Sequence, residues 1–273
     1  MEETPVRVGS MLFTMVDPHP GHEVAYNRWY ERDHFYMGCM VGPWWFAGTR
    51  WVSPRTLKDL RFPAESPFAN PVDVGSFLSI YWVHEGHEQE AFDWSGEQFR
   101  WIYMNDRGFN ERTHAHTALY DLASNRYAND DGVPLAWALA HRYPGLGVIS
   151  VDPAAGASQA DLIAWLDEGP VQGLLGTEGV ETVCTWRVRG ADREAPPPPP
   201  PDASGKVPSL ATEGGRRDRV VQLCFIEGDP VGCWDAFRGY AKEVDDGGVG
   251  TVTFAAPFYK TVVGTDTYTD QLW

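Results

Sequence analysis

Basic residues are scarce in this 273-residue chain. It has 22 lysines and arginines against 38 aspartates and glutamates, which gives a formal net charge of -16 at pH 7. This surplus of negative charge repels the phosphates of nucleic acids and of anionic lipid headgroups, and it favours solubility. Nucleic acid is therefore excluded as the expected partner.

Long apolar runs are also missing. No stretch approaches the ~18 residues that a membrane-spanning helix needs. The first residues, MEETPVRVGS, lack the basic and apolar regions of a signal peptide. The sequence thus predicts a cytoplasmic protein with no membrane partner.

Cysteine patterns and nucleotide-binding motifs are absent as well. The four cysteines are scattered without a C-x-x-C pair, which favours buried free thiols over disulfides or a zinc centre. The chain has no glycine-rich phosphate loop, no Walker signature and no G-x-S-x-G elbow. We therefore expect no cofactor, and in particular no nucleotide.

Hydrophobic periodicity predicts the order β-α-β-β-α-β twice. The expected first-half elements are strands at 6–16, 43–52, 75–84 and 110–121 and helices at 22–37 and 88–104. Those of the second half are strands at 146–152, 180–188, 219–227 and 249–263 and helices at 158–175 and 230–244. The predicted organisation is a first unit (1–124) that carries the site, a connector (125–145) and a second unit (146–273) with a proline-rich loop at about 190–218.

An ungapped alignment of the two halves supports a tandem duplication. When residues 25–52 are set over residues 161–188, Trp29 falls on Trp165 and Val52 on Val188. The matches are few, but they keep register across a helix, a turn and a strand. The alignment therefore predicts one fold unit that is repeated within the chain.

The stretch from Trp29 and Tyr30 to His34, followed by GPWWFAGTRW on the next strand, resembles the EthD-like branch of the dimeric α+β barrel superfamily. The resemblance implies an α+β fold in which two ferredoxin-like units pack their sheets face to face, with helices outside. Members usually have one unit per chain and dimerise, whereas this chain would carry both halves, and a homodimer of it remains open. The superfamily includes cofactor-free monooxygenases, polyketide cyclases and lactone isomerases.

The two halves differ along the inward stripe of their first helix. The second half has Leu162, Leu166 and Pro170 at positions i, i+4 and i+8, where the first half has Tyr26, Tyr30 and His34. Buried polar groups need partners, water or a ligand, because leaving one unsatisfied costs on the order of 1 to 3 kcal/mol. We therefore predict a polar-lined cavity in the first unit only, with His34 as the catalytic acid or base and Tyr30 orienting the substrate. A core histidine paired with a neighbouring group is the alternative.

Further candidates for substrate binding come from the strands and the second helix. Alternation on the second strand places Trp44, Phe46 and Arg50 on one face, with Arg50 aligned to Trp186 and available for a carboxylate or phenolate. His114 and His116 are expected to share a face of the fourth strand, where they could line the same cavity, face solvent or begin a metal site. No third ligand has suitable spacing, so we predict no metal. The substrate-binding set is Tyr26, Trp44, Phe46, Arg50, Trp82, Tyr103, His114 and His116.

These residues predict a cofactor-independent enzyme that transfers a proton on a hydrophobic, aromatic or polycyclic small molecule. Lyase, isomerase or cyclase, and cofactor-free monooxygenase chemistry all stay open. A non-catalytic binding or accessory protein with the same pocket is the alternative, and a purely structural scaffold is a third. Haem is a further alternative, since duplicated chains of this kind include chlorite dismutase-like proteins, whose proximal histidine comes from the C-terminal unit. All eight histidines here occur at or before His141, which disfavours haem.

Overall fold

The structure, a computed structural model, describes residues 5–189 and 216–273. Its strands are β1 (Val8–Pro18), β2 (Trp45–Val52), β3 (Phe77–His84), β4 (Arg112–Tyr127), β5 (Gly145–Pro153), β6 (Val180–Val188), β7 (Val220–Ile226) and β8 (Gly250–Lys260). Its helices are α1 (Glu23–Trp29), α2 (Arg55–Lys58), α3 (Glu88–Met104), α4 (Leu135–Ala138), α5 (Gln159–Glu168), α6 (Pro170–Leu175) and α7 (Trp234–Gly247). Residues 190–215 of the predicted proline-rich loop lie outside the described residues.

The strands form one closed barrel in the order β1-β3-β2-β8-β5-β7-β6-β4. Within each half the sheet order is fourth, first, third and second strand, and all neighbours are antiparallel. The order β-α-β-β-α-β thus occurs in both halves, and the predicted α+β fold class is confirmed. The four cysteines are free and buried, as predicted. Within the described residues no helix is long and apolar enough to cross a membrane.

The two four-stranded sheets pair with each other at two places, here called joints, which differ in length and close the barrel. At one joint β4 pairs with β6 over residues 120–127 and 182–188. At the other joint β2 meets β8 only through Trp51 with Lys260 and Val52 with Tyr259. Phe62, which lies between β2 and β3, adds an antiparallel β-bridge to Ala255 of β8 next to the second joint.

The barrel interior is a continuous apolar core supplied by both halves. Alternate residues of every strand point inward, and residues from the β2–β3 insertion and from the connector join them. Trp82 of β3 stacks on Trp186 of β6 with 4.9 Å between ring centroids, and its indole N–H donates to the carbonyl of Leu135 at 3.1 Å. This contact joins the two units at the centre of the molecule.

A helix layer covers the outer face of each sheet, and the two layers differ in composition. The layer of the second unit is built mainly from aliphatic residues, with Leu162 and Leu166 fully buried. Its polar groups are paired: Tyr240 Oη donates to Gln222 Oε1 at 2.5 Å, and the Gln222 amide donates to Thr185 at 3.1 Å. The layer of the first unit is rich in aromatic residues, among them Tyr26, Trp29 and Tyr30.

The first helices depart from the predicted single helices in both halves. After α1 the chain continues through two π-helical segments, Tyr30–His34 and Tyr36–Met40, in which the N–H of Val41 donates to the carbonyl of Tyr36, five residues earlier. In the second half the helix breaks between α5 and α6, because Pro170 has no N–H to continue the ladder. The polar row of the first half therefore lies on a helix of altered winding.

We expect Trp186→Ala to destabilise the protein by about 3 to 5 kcal/mol, because it removes a buried ring from the contact between the units. The measurement is urea denaturation followed by circular dichroism. Trp137→Ala is the matched control, since its ring is 54% exposed, and we expect a change within about 0.5 kcal/mol. Equal effects of the two substitutions would show that the Trp82–Trp186 contact does not hold the units together.

Candidate functional site

The predicted row of Tyr26, Tyr30 and His34 lies between the first helix and the sheet of the first unit. Tyr26 and Tyr30 are 0% and 2% exposed, and their ring centroids are 5.5 Å apart. His34 follows at 4.7 Å from Tyr30 and is only half-buried, although its Nδ1 is enclosed. The row therefore runs from the deep interior of the layer to its surface.

The π-helical winding determines what surrounds His34. His34 stands five positions after Trp29, which is the period of a π-helix, and their rings stack with 4.8 Å between centroids. Phe99 of α3 covers the other face at 5.0 Å. Gly38 permits this approach, since a Cβ at that position would lie 2.5 Å from the Phe99 ring. The imidazole is thus held between two aromatic faces.

Arg50 brings a positive charge to the deep end of the row. It is 4% exposed, and its guanidinium carbon lies 4.5 Å from the Tyr30 ring centroid. Its Nη1 donates to Asn27 Oδ1 at 2.8 Å and lies 3.5 Å from a Glu31 carboxylate oxygen. Its Nε and Nη2 have no hydrogen-bond partner among the described residues.

Within the residues that the structure describes, other buried polar atoms of the layer also have no hydrogen-bond partner, among them Nη1 of Arg112. Tyr26 Oη and His34 Nδ1 also have no partner within the part of the chain that the structure describes. Tyr30 differs, because its hydroxyl accepts a hydrogen bond from Tyr81 Oη at 3.0 Å. Buried polar atoms are almost always paired in proteins, so a group of them in one layer is a typical sign of a ligand site.

Tyr103 and His114 lie at the half-buried end of the same layer. Arg112, which was not among the predicted site residues, links them. Its Nη2 donates to Tyr103 Oη at 2.5 Å, and its Nε donates to His114 Nε2 at 3.3 Å. Arg112 stands two residues before His114 on the same strand, and that spacing was the signal in the sequence. His114 Nδ1 also lies 2.8 Å from Thr117 Oγ1.

Burial sets the protonation states of the row. It lowers the pKa of His34 well below the usual value, and the charges of Arg112, His114 and Arg50 lower it further. Burial likewise raises the pKa values of Tyr26 and Tyr30. At neutral pH the imidazole is therefore neutral and both phenols keep their protons, so His34 can accept a proton but holds none to give as an imidazolium.

Four predicted substrate-binding residues lie elsewhere. A bulge in β4, where Met15 pairs with His116 and Val16 with His114, turns the two histidines to opposite faces of the strand. His116 therefore points into the barrel, where it contacts Tyr120 Oη at 2.7 Å and stacks on Phe68. The shared face predicted for the two histidines is wrong.

The second strand also carries a bulge, between Trp45 and Ala47. Phe46 and, on β3, Trp82 face the barrel interior, while Arg50 faces the helices. Trp44 precedes the strand, is 39% exposed and stacks on His87 at 3.4 Å. The prediction that Trp44, Phe46 and Arg50 share a face is therefore wrong.

The predicted equivalence of Arg50 and Trp186 is also wrong. Trp186 points into the barrel and pairs with Val221, whereas Arg50 lies in the helix layer opposite Ser79. Thr185 occupies the layer-facing position of β6 and pairs with Gln222. β6 carries a matching bulge, between Val180 and Thr182, so the ungapped alignment is already displaced by one residue before β2 begins, and this displacement reverses the face.

The described residues contain no group of three or more histidine, cysteine or acidic side chains that could hold a metal ion. Haem does not fit either. The second unit has no histidine after His141, and its helix layer is filled by Leu162, Leu166 and their neighbours. In the first unit the imidazole of His34 is stacked between the rings of Trp29 and Phe99, so a macrocycle reaches this histidine only if the layer repacks.

No family model matches this chain, and no curated protein matches it. Solved structures do resemble it. An anthrone oxidase-like protein is 11% identical with a TM-score of 0.55, and the match covers 96% of this chain and 98% of that one. A protein described as a candidate chlorite dismutase is 8% identical with a TM-score of 0.55, and the match covers 98% and 100%. Chlorite dismutase from Candidatus Nitrospira defluvii is 11% identical with a TM-score of 0.50, and the match covers 98% and 96%. At these identities the likeness shows the fold, which is that of the dimeric α+β barrels.

We expect the free energy of unfolding to fall as the pH is lowered below about 6.5. Burial lowers the pKa of His114 to about 4 and that of His116 to about 3. Between those values and 6.5 the unfolded chain therefore binds protons that the folded chain does not. Each such histidine removes about 1.4 kcal/mol per pH unit across its window.

The measurement is urea denaturation at several pH values from 7.5 to 4.5. In His116→Gln the free energy of unfolding should fall less steeply as the pH is lowered, by about the contribution of one histidine. Phe68→Leu, which alters the ring stacked on His116, should keep the wild-type pH dependence. An unchanged slope in His116→Gln would contradict the assignment.

Proposed function

We propose that the protein is a cofactor-independent enzyme that removes a proton from a hydrophobic aromatic small molecule bound in the helix layer of the first unit. The observation that carries the proposal is the convergence of unpartnered polar atoms there: Tyr26 Oη, His34 Nδ1, and Nε and Nη2 of Arg50. The corresponding layer of the second unit has paired polar groups and aliphatic packing. One site per chain follows from this difference.

The proposed step transfers a proton from a C–H or O–H group of the substrate to the neutral imidazole of His34. The bond to hydrogen breaks, its electron pair stays on the substrate as an enolate or phenolate, and His34 becomes an imidazolium. Arg50 lies in the layer with free N–H groups that stabilise the anion. Trp29 and Phe99 hold the imidazole of His34 between their rings, and Phe109 also stacks on Trp29, so an aromatic substrate takes the place of one of these rings when it reaches the histidine.

The low pKa of His34 weakens it as a base in the free enzyme. Proton transfer therefore depends on the substrate anion, whose negative charge offsets the repulsion of the imidazolium by Arg50 and Arg112. The same low pKa keeps the imidazole unprotonated, and so available as a base, in mildly acidic solution. Around Tyr26 and Tyr30 the layer is closed, so side chains must move when a substrate binds.

The fate of the substrate anion distinguishes the reaction classes. An enolate can be reprotonated elsewhere, can expel a leaving group, or can react with O2. The name of the anthrone oxidase-like neighbour suggests the third route as the first to test. In that reaction one anthrone and one O2 give one anthraquinone and one water.

Several finer assignments belong to the same proposal. We take the two units to be a tandem duplication, because the order of their elements repeats. The first unit is taken to end at residue 124 and the second to begin at residue 146. We assign them to the EthD-like branch because the segment from Trp29 to His34 resembles it. A cytoplasmic location and a homodimer stay predictions.

The test is turnover of anthrone in His34→Gln, followed by the absorbance of the quinone and by oxygen uptake. We expect kcat to fall by about 10²- to 10⁴-fold, because the proton acceptor is lost. His19→Gln is the matched control, since His19 is exposed in the same unit, and we expect wild-type turnover from it.

A non-catalytic binding protein is the second candidate, favoured by the weak basicity of His34. It predicts that wild type and His34→Gln bind aromatic ligands without turning over anthrone or related carbon acids. Full activity in His34→Gln would contradict His34 as the base.

We also expect purified protein to show no Soret band and no stoichiometric metal, because the helix layers do not fit haem. The measurement is an absorbance spectrum with elemental analysis. A haem spectrum that survives gel filtration would overturn the cofactor-independent assignment.

A further inference from the structure

Arg112 stands at the end of the aromatic layer that solvent reaches. Arg112, Tyr103, His114 and His34 are all half-buried, whereas Tyr26, Tyr30 and Arg50 are buried. Arg112 therefore lies nearer the surface of the layer than Tyr26, Tyr30 and Arg50 do.

The guanidinium of Arg112 is held in place but is not neutralised. Its carbon lies 4.8 Å from the Trp29 ring centroid, and two of its nitrogens donate to Tyr103 Oη and His114 Nε2. Both partners are uncharged acceptors, since burial lowers the pKa of His114 to about 4. In the described ranges Arg112 forms no ion pair, and its buried Nη1 has no hydrogen-bond partner.

This arrangement differs from that of several other arginines in the chain. The protein carries a net charge of -16, and several of its other arginines pair with carboxylates, including Arg107 with Asp33 and Arg219 with Asp152. In the layer, Glu31 at 3.5 Å from Arg50 is the acidic partner that the structure shows for the two arginines. The charge of Arg112 is therefore left without a counterion among the described residues, and a partly buried charge is costly unless an anion accompanies it.

We propose that Arg112 binds a carboxylate on the aromatic substrate, so that the substrate class is aromatic acids. The inference rests on the proposed function only in taking the helix layer of the first unit as the binding site. When the layer opens to admit the ligand, the unpartnered Nη1, which is enclosed in this structure, donates to the carboxylate, and the ring of the ligand extends past His34 toward Arg50. A single guanidinium balances one negative charge, which favours a carboxylate over a phosphate dianion.

The test is isothermal titration of two ligands of nearly equal shape, 2-naphthoate and 2-naphthylmethanol, with wild type, Arg112→Gln and Arg112→Lys. We expect wild type to bind the carboxylate at least tenfold more tightly than the alcohol. Arg112→Gln should reduce this preference to less than threefold while it keeps the affinity for the alcohol, and Arg112→Lys should retain part of the preference because it keeps the charge. Arg100→Gln removes an exposed arginine from α3 of the same unit and should keep the wild-type preference.

Two outcomes would overturn the proposal: equal binding of both ligands by wild type, or an unchanged preference in Arg112→Gln, which would assign the carboxylate to another group such as Arg50. If Arg112→Gln does not fold, the ligand preference of Arg112→Lys decides, because a preference unchanged from wild type would show that the guanidinium of Arg112 does not bind the carboxylate. Neither ligand needs to react, so failure here is distinct from failure of the His34 turnover test.

Discussion

Each four-stranded sheet of this protein has two apolar faces, and its own helices cover only one of them. The remaining faces must be buried against each other, and closure into an eight-stranded barrel achieves this without leaving sheet edges open. The stacked rings of Trp82 and Trp186 lie where these two faces meet. Barrel closure therefore fixes the positions of both helix layers before any functional residue is considered.

Because the barrel core is shared, each helix layer can vary independently. In the second unit Leu162, Leu166 and the hydrogen-bonded pair of Gln222 and Tyr240 close the layer. In the first unit the equivalent space holds tyrosines, a histidine and arginines whose polar atoms are only partly paired. The same fold thus provides a filled layer that contributes stability and a polar layer suited to chemistry.

Much of this could be predicted from the sequence, and the remainder depends on single residues. Periodicity gave both sets of six elements, and Tyr26 and Tyr30 of the predicted stripe contact the sheet, whereas His34 is half-buried and packs against Phe99 of α3. Side-chain direction in a strand reverses with one inserted residue, so bulges near Phe46 and Ala115 moved Trp44, Phe46 and His116 away from Arg50 and His114. Alternation alone does not show where a bulge lies, because it depends on pairing between distant strands.

The π-helical winding of residues 30–40 has a consequence for how such a site can arise. A π turn accommodates an extra residue within a helix without moving the elements on either side. The flanking strands β1 and β2 can then keep their places in the barrel while the helix between them grows longer. The π winding therefore lets this helix hold a histidine between two aromatic faces while the strands on either side keep their register in the barrel.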